Sequence, residues 1–152
     1  MAVGGGDGRL VRRCCSAAWR GVTLAGGPTD CPVSGQASVG VGSTDEQVAA
    51  AREAVRGLIA FYASTPAYRP VLDAHGWGEL QPRLRDLTRA GDWAALPGLV
   101  TDEVVETIAI VGAPAAVAEK LQGRFARCER VALSAPYALD LGALAELVAL
   151  AR

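Results

Sequence analysis

The 152-residue sequence predicts an α/β fold that is mostly helical in this chain. Three observations point there. Thr44-Asp45-Glu46-Gln47 is a capping box that opens an amphipathic helix. Arg130 to Ser134, carrying Val131 and Leu133, has the character of a short buried strand. Helices from Pro114 to about Arg127 and from Leu141 to Ala151 flank it, and a helix–strand–helix ending belongs to parallel α/β folds rather than to bundles.

Bulk properties narrow the class. A hydrophobic fraction of 51% with 20% charged residues excludes disorder for most of the chain. A net charge of -1 provides no general field for nucleic acid or an anionic membrane. The apolar stretches are too broken to span a bilayer. Fourteen of the fifteen basic residues are Arg and only Lys120 is Lys, a bias that reads as coding composition rather than phosphate recognition.

The elements follow in order. Residues 1–38 form a Gly- and Cys-rich segment expected to be poorly ordered, and residues 39–152 form the folded domain. Ala37 to Val41 is a candidate short strand, weakened by Gly40 and Gly42, which supply no side chains to pack. In the helix after Thr44, Val48, Val55, Leu58, Ile59 and Tyr62 form one apolar stripe, leaving Arg52, Glu53 and Arg56 outside it. Pro66 to Trp77 reads as a short helix bent at Pro70 and stopped at Gly76. Glu79 to Ala90 is a helix ended by Gly91, and a turn follows from Asp92 to Leu99. Asp102 to Ala109 is a helix capped by Thr101, and Pro114 suits the first position of the next, with Val117, Leu121 and Phe125 on one face.

Cys14, Cys15, Cys31 and Cys128 lack a CxxC spacing, and His75 is the only histidine, so no metal site is expected. Arg12-Arg13 is followed by no sustained apolar stretch of a leader, and a cytoplasmic location is expected. The run Gly4-Gly5-Gly6 with Gly8 has no Lys-Ser or Lys-Thr after it and is not a phosphate loop.

Phe61-Tyr62-Ala63-Ser64-Thr65-Pro66-Ala67-Tyr68-Arg69, followed by His75-Gly76-Trp77, resembles the carboxy-terminal portion of luciferase-like (LLM class) oxidoreductases that use the deazaflavin coenzyme F420. Thr44-Asp45-Glu46 resembles the start of the helix after a late barrel strand. Val111-Gly112-Ala113-Pro114 with Val117 resembles the family's Gly-x-Pro turn into a helix, and Val131 to Tyr137 its last strand with a trailing Ala-Pro-Tyr. The resemblance runs from about Val39 to Arg152.

It implies the carboxy-terminal part of a TIM-type βα barrel, whose complete form holds F420 at the carboxy-terminal face of its strands and passes hydride between the deazaflavin and a small organic substrate. FMN is the less favoured coenzyme, although the wider family is monooxygenase-like. The amino-terminal barrel half has no counterpart here, so the chain is expected to be a fragment that lacks most of the coenzyme site and is only marginally stable alone.

Within that reading, Tyr68, Arg69, His75 and Trp77 are the candidate coenzyme- or substrate-binding residues, and no catalytic residue is assigned. Tyr68 and Trp77 can line a ring pocket or fill a core, whereas Tyr62 is expected in the core. Arg69 can meet an anionic coenzyme or pair with Asp73, one turn on. His75 is a general acid or base, or a packed group at a helix end. Asp102, Glu103 and Glu106 sit in a helix's first turns and read as structural, and Cys128 reads as a buried small residue. The competing class is a non-catalytic helical interaction module, either a homo-oligomer or a chain that docks on a separately encoded barrel half.

Overall fold

The computed structural model describes residues 34–135 and 141–151. The expectations for Cys14, Cys15, Cys31 and the Gly-rich opening lie outside the described residues. Three strands, β1 (Ser34–Val41), β2 (Ala109–Gly112) and β3 (Arg130–Ser134), form a parallel sheet in the order β2-β1-β3. Ser38 is in register with Ala109 and Val41 with Gly112, while Ser34 faces Arg130 and Ser38 faces Ser134. In a closed βα barrel each strand pairs with its neighbours in sequence. In this chain β1 takes both pairings.

β1 starts at Ser34, three residues earlier than its apolar residues suggested, because Ser34 to Ser38 pair along β3. The first of the two glycines that weaken the strand is a packing requirement. A Cβ on Gly40 would sit 3.3 Å from Ala51 Cβ, so the strand comes close to the helix there.

The described residues also form six helices: α1 (Asp45–Ala63), α2 (Arg69–Asp73), α3 (Leu80–Ala90), α4 (Asp102–Ile108), α5 (Pro114–Arg124) and α6 (Leu141–Leu150). Single 3₁₀ turns at Pro66–Tyr68 and Leu96–Leu99 lie between them. The capping box at the start of α1 forms as expected: Thr44 Oγ1 accepts from the Gln47 amide at 3.3 Å, and Gln47 Oε1 accepts from Ser43 and Thr44 amides at 2.8 and 3.2 Å. Gly76 and Gly91 end their segments at φ 79° and 76°, the left-handed region that favours glycine.

The helices divide between the two faces of the sheet. Ala37, Val39 and Val41 of β1, with Ile110 of β2, pack against Val117, Leu121 and Phe125 of α5 and Leu147 of α6. On the other face Val55, Ile59, Ala60 and Ala63 of α1 gather Leu72, Leu84, Leu96, Val100, Val104 and Val105 into a second core. Burial of each Val, Leu, Ile or Phe among them contributes about 1.5–3 kcal/mol before entropy is counted.

Five readings are corrected. The strand β3 forms where expected but is not buried: Arg130 and Ala132 are exposed and Val131 and Leu133 half-buried, because among the described residues it pairs on one side only, with β1. The helix after Thr101 ends at Ile108, and Ala109 to Gly112 is a strand whose Ile110 is 1% exposed. The β-branched run through Val111 favours the pleat once both faces are covered. Tyr62 is exposed, because the buried line of α1 runs through Ala51, Val55, Ile59 and Ala63, and Tyr62 stands beside it. Arg56 does not stand in solvent: its side chain is 13% exposed, and it donates to the Val100 carbonyl, to Asp102 and to Glu53. Cys128 is half-buried rather than buried, because it lies at the margin of the α5 core.

Candidate functional site

In parallel α/β sheets, ligands gather outside the carboxy-terminal ends of the strands. Here that edge is made by Gly42–Thr44 after β1, Gly112–Pro114 after β2 and Ser134–Ala135 after β3. The Gly42 amide donates to the Gly112 carbonyl at 3.3 Å, joining the first two loops. Gly42 is required by space: a Cβ there would lie 2.6 Å from the Gln47 carbonyl carbon and the Val48 nitrogen. Its absence lets α1 turn back at once from β1.

The first turns of α1 and α5 both open at this edge. Thr44 and Gln47 occupy amides of α1, and the Glu46 carboxyl is held below its ordinary pKa by its own main-chain hydrogen bond and then by the Thr44 hydroxyl. At α5, Ala113 supplies no side-chain cap and Pro114 follows it. At α1 the capping box thus takes up the first amides and Glu46 adds a carboxylate, whereas the first turn of α5 carries no side-chain cap, so that end of the edge is the part suited to an anionic group.

The residues selected from sequence lie elsewhere. Gln47 packs at Gly42 and Ala51 at Gly40, so α1 runs back along β1. Its nineteen residues rise about 28 Å. Tyr68, Arg69, His75 and Trp77 follow its far end. There the Tyr68 ring lies 5.5 Å from Tyr62, and Arg69 pairs with Asp73 at 3.6 Å and Glu79 at 3.5 Å. His75 stacks on Trp77, with centroids 4.8 Å apart and planes 16° from parallel. His75 Nε2 is buried without a hydrogen-bond partner, and Trp77 packs on the α1 core. These contacts, Tyr68 with Tyr62, Arg69 with Asp73 and Glu79, and His75 with Trp77, fold the segment after α1 against its end, and Gln81 Nε2 fastens the same segment by donating to the Ser64 carbonyl at 2.9 Å.

The described residues do not enclose a deazaflavin ring. They offer main chain and hydroxyls at the strand edge, while the aromatic candidates sit beyond the other end of α1. Among the described residues no cluster of three His, Cys, Asp or Glu could hold a metal ion, and no helix is long and apolar enough to cross a membrane.

Sequence reasoning took Gly42 for a weak strand position, whereas β1 ends at Val41 and Gly42 is the loop glycine against α1. The signal was present, since a glycine between a strand and a capping box marks a tight β-to-α turn.

Parallel strands, crossover helices and a glycine-lined carboxy-terminal edge define a βα unit of the kind that ligand-binding barrels are built from. Residues 16–128 match the family described as luciferase-like monooxygenase, and the chain belongs to that family. Uncharacterized protein Rv1360 of Mycobacterium tuberculosis and uncharacterized protein Mb1395 of Mycobacterium bovis are each 46% identical to it over 99 residues, 65% of this chain. The chain spans 28% of the length of those relatives. The coenzyme F420 dependent tetrahydromethanopterin reductase of Methanopyrus kandleri shares the fold, with a TM-score of 0.74 and 21% identity over 95% of this chain and 41% of that one.

Proposed function

We propose that this chain is the carboxy-terminal portion of a luciferase-like oxidoreductase that moves hydride between a deazaflavin coenzyme and a small organic substrate. The observation that carries this reading is the family match over residues 16–128, and the F420-dependent structural neighbour supports deazaflavin ahead of FMN. The chain's own contribution is the strand edge at Gly112–Pro114, where the first turn of α5, which has no side-chain cap, holds an anionic part of the coenzyme. The ring and the reacting carbon are positioned by residues this chain does not gather, and hydride transfer requires donor and acceptor in close register. The 152 residues alone are therefore inactive.

The test is a fluorescence titration of deazaflavin coenzyme against this chain and against a full-length relative. Binding by the relative with none by the chain supports the reading. Stoichiometric tight binding by the chain overturns the incomplete site, and absence of binding by the relative overturns the coenzyme.

A second reading is an interaction module completed by another chain. It is favoured by apolar residues left outward on α6, where Leu141, Val148 and Leu150 are exposed. Light scattering after size exclusion decides it: a stable monomer in isolation counts against a required partner.

A further inference from the structure

We propose that the aromatic strip formed by Trp93, Phe61, Tyr62 and Tyr68 is a docking surface for a proline-rich segment of a partner protein in the polyproline II conformation. The four rings touch in series. Trp93 lies 6.3 Å from Phe61, Phe61 5.6 Å from Tyr62 and Tyr62 5.5 Å from Tyr68, centroid to centroid. Three separate parts of the chain supply them: the last turn of α1, the 3₁₀ turn Pro66–Tyr68 and the loop after α3.

Local structure holds these rings outward. The buried line at the end of α1 passes through Ile59, Ala60 and Ala63, which leaves Phe61 and Tyr62 on the outer side of the helix. Ser64 Oγ donates to the Phe61 carbonyl at 2.7 Å and fixes that turn, while the left-handed Gly91 ends α3 just before Trp93. Single exposed aromatics are ordinary, whereas a contiguous run of them marks an interaction site.

The size, shape and polarity of the strip select its occupant. Phe61, Tyr62 and Trp93 are 48%, 42% and 56% exposed, and side chains that cover about 150–250 Å² each then offer roughly 300 Å². A stable dimer needs about 800 Å² from each partner. A short segment fits and a second copy does not. The ring planes are tilted by 37°, 60° and 45° from one neighbour to the next, so they form notches rather than the flat platform that a base or a sugar stacks on. Proline ridges pack into aromatic notches of this kind. Among the described residues no hydrogen bond takes up the Tyr62 hydroxyl or the Trp93 indole N–H. A polyproline II strand has no internal hydrogen bonds and presents carbonyls that accept from both. Because the rings already brace one another and the peptide is preformed, little ordering entropy opposes the contact.

The strip lies at the opposite end of α1 from the strand edge assigned to the coenzyme, so it stands whether or not the deazaflavin reading holds.

The test titrates the 152-residue protein into fluorescein-labelled decaproline, followed by anisotropy, with a labelled Gly-Ser decamer as the flexible control. Saturable binding, about tenfold or more tighter for decaproline than for the control, is expected. Phe61→Ala and Trp93→Ala, each checked for an unchanged circular dichroism spectrum, should weaken it by about fivefold or more. Light scattering on the free protein identifies a rival occupant. No saturable binding by the wild type, equal affinity for the two peptides, or Trp93→Ala binding as the wild type does, overturns the proposal. A dimer that Trp93→Ala dissolves overturns it as well, since a second copy then covers the strip.

Discussion

Arg56 donates to Asp102 across the gap between α1 and α4, and the same guanidinium also donates to the Val100 carbonyl. One side chain thereby fixes the return of the chain from the segment after α1 to the strand β2. The contact raises the Arg56 pKa and lowers that of Asp102, in both cases chiefly through the hydrogen bond they share. Arg56→Ala should cost about 1–3 kcal/mol by leaving the carbonyl unmatched, measured by urea unfolding at neutral pH.

The same pair sets a pH dependence. A carboxyl whose folded pKa lies below its unfolded value stabilises the protein above the unfolded pKa and loses that contribution as pH falls through the folded one. Stability should therefore decline on acidification below about pH 4. Asp102→Asn should flatten that part of the profile in urea unfolding repeated across pH, whereas an unchanged slope would assign the decline to other carboxyls.

Gly42→Ala should be among the most harmful single-methyl additions in the domain. The new Cβ meets main chain of α1 at 2.6 Å, which no rotamer change relieves. A loss of about 1–3 kcal/mol is expected from overpacking, read by thermal unfolding.

His75→Phe separates packing from chemistry. The ring already stacks on Trp77 with its Nε2 buried and unpartnered, so a phenyl keeps the stack and removes the unmatched nitrogen. Unfolding stability should hold or rise by about 1 kcal/mol. Loss of activity at unchanged stability, in a full-length relative carrying the same change, would give the histidine a chemical role.

Gln81 is 4% exposed and donates to the Ser64 carbonyl, tying α3 to the end of α1. Gln81→Leu should cost about 1–3 kcal/mol, because the buried carbonyl loses its donor while the volume is kept. Hydrogen exchange should show the loosening first at Ser64 to Tyr68.

Local signals were read well wherever a single turn of chain decides the outcome. The capping box at Thr44, the left-handed glycines Gly76 and Gly91, and the strand Arg130–Ser134 all need only nearby residues. β2 was hidden because Thr101 starts a genuine helix and four residues carry too little alternation to announce a strand. Its conformation is decided by β1 and by the two layers that cover it. The burial of Arg56 was equally out of reach, since its acceptors Val100 and Asp102 lie more than forty positions away. The family was legible from the Tyr-Ala-Ser-Thr-Pro-Ala-Tyr-Arg stretch, while the packing of Tyr68, Arg69, His75 and Trp77 against the far end of α1 depends on contacts with residues outside that string.

The seat of β1 between β2 and β3 governs how this polypeptide comes together. Strand β1 is synthesised before β3 and must wait for Arg130 to Ser134 before its second flank is occupied. Contacts of such long sequence separation form slowly. Until β3 has formed that flank stays available to any passing extended peptide, which makes timely pairing of Arg130 to Ser134 the point at which misassembly is avoided.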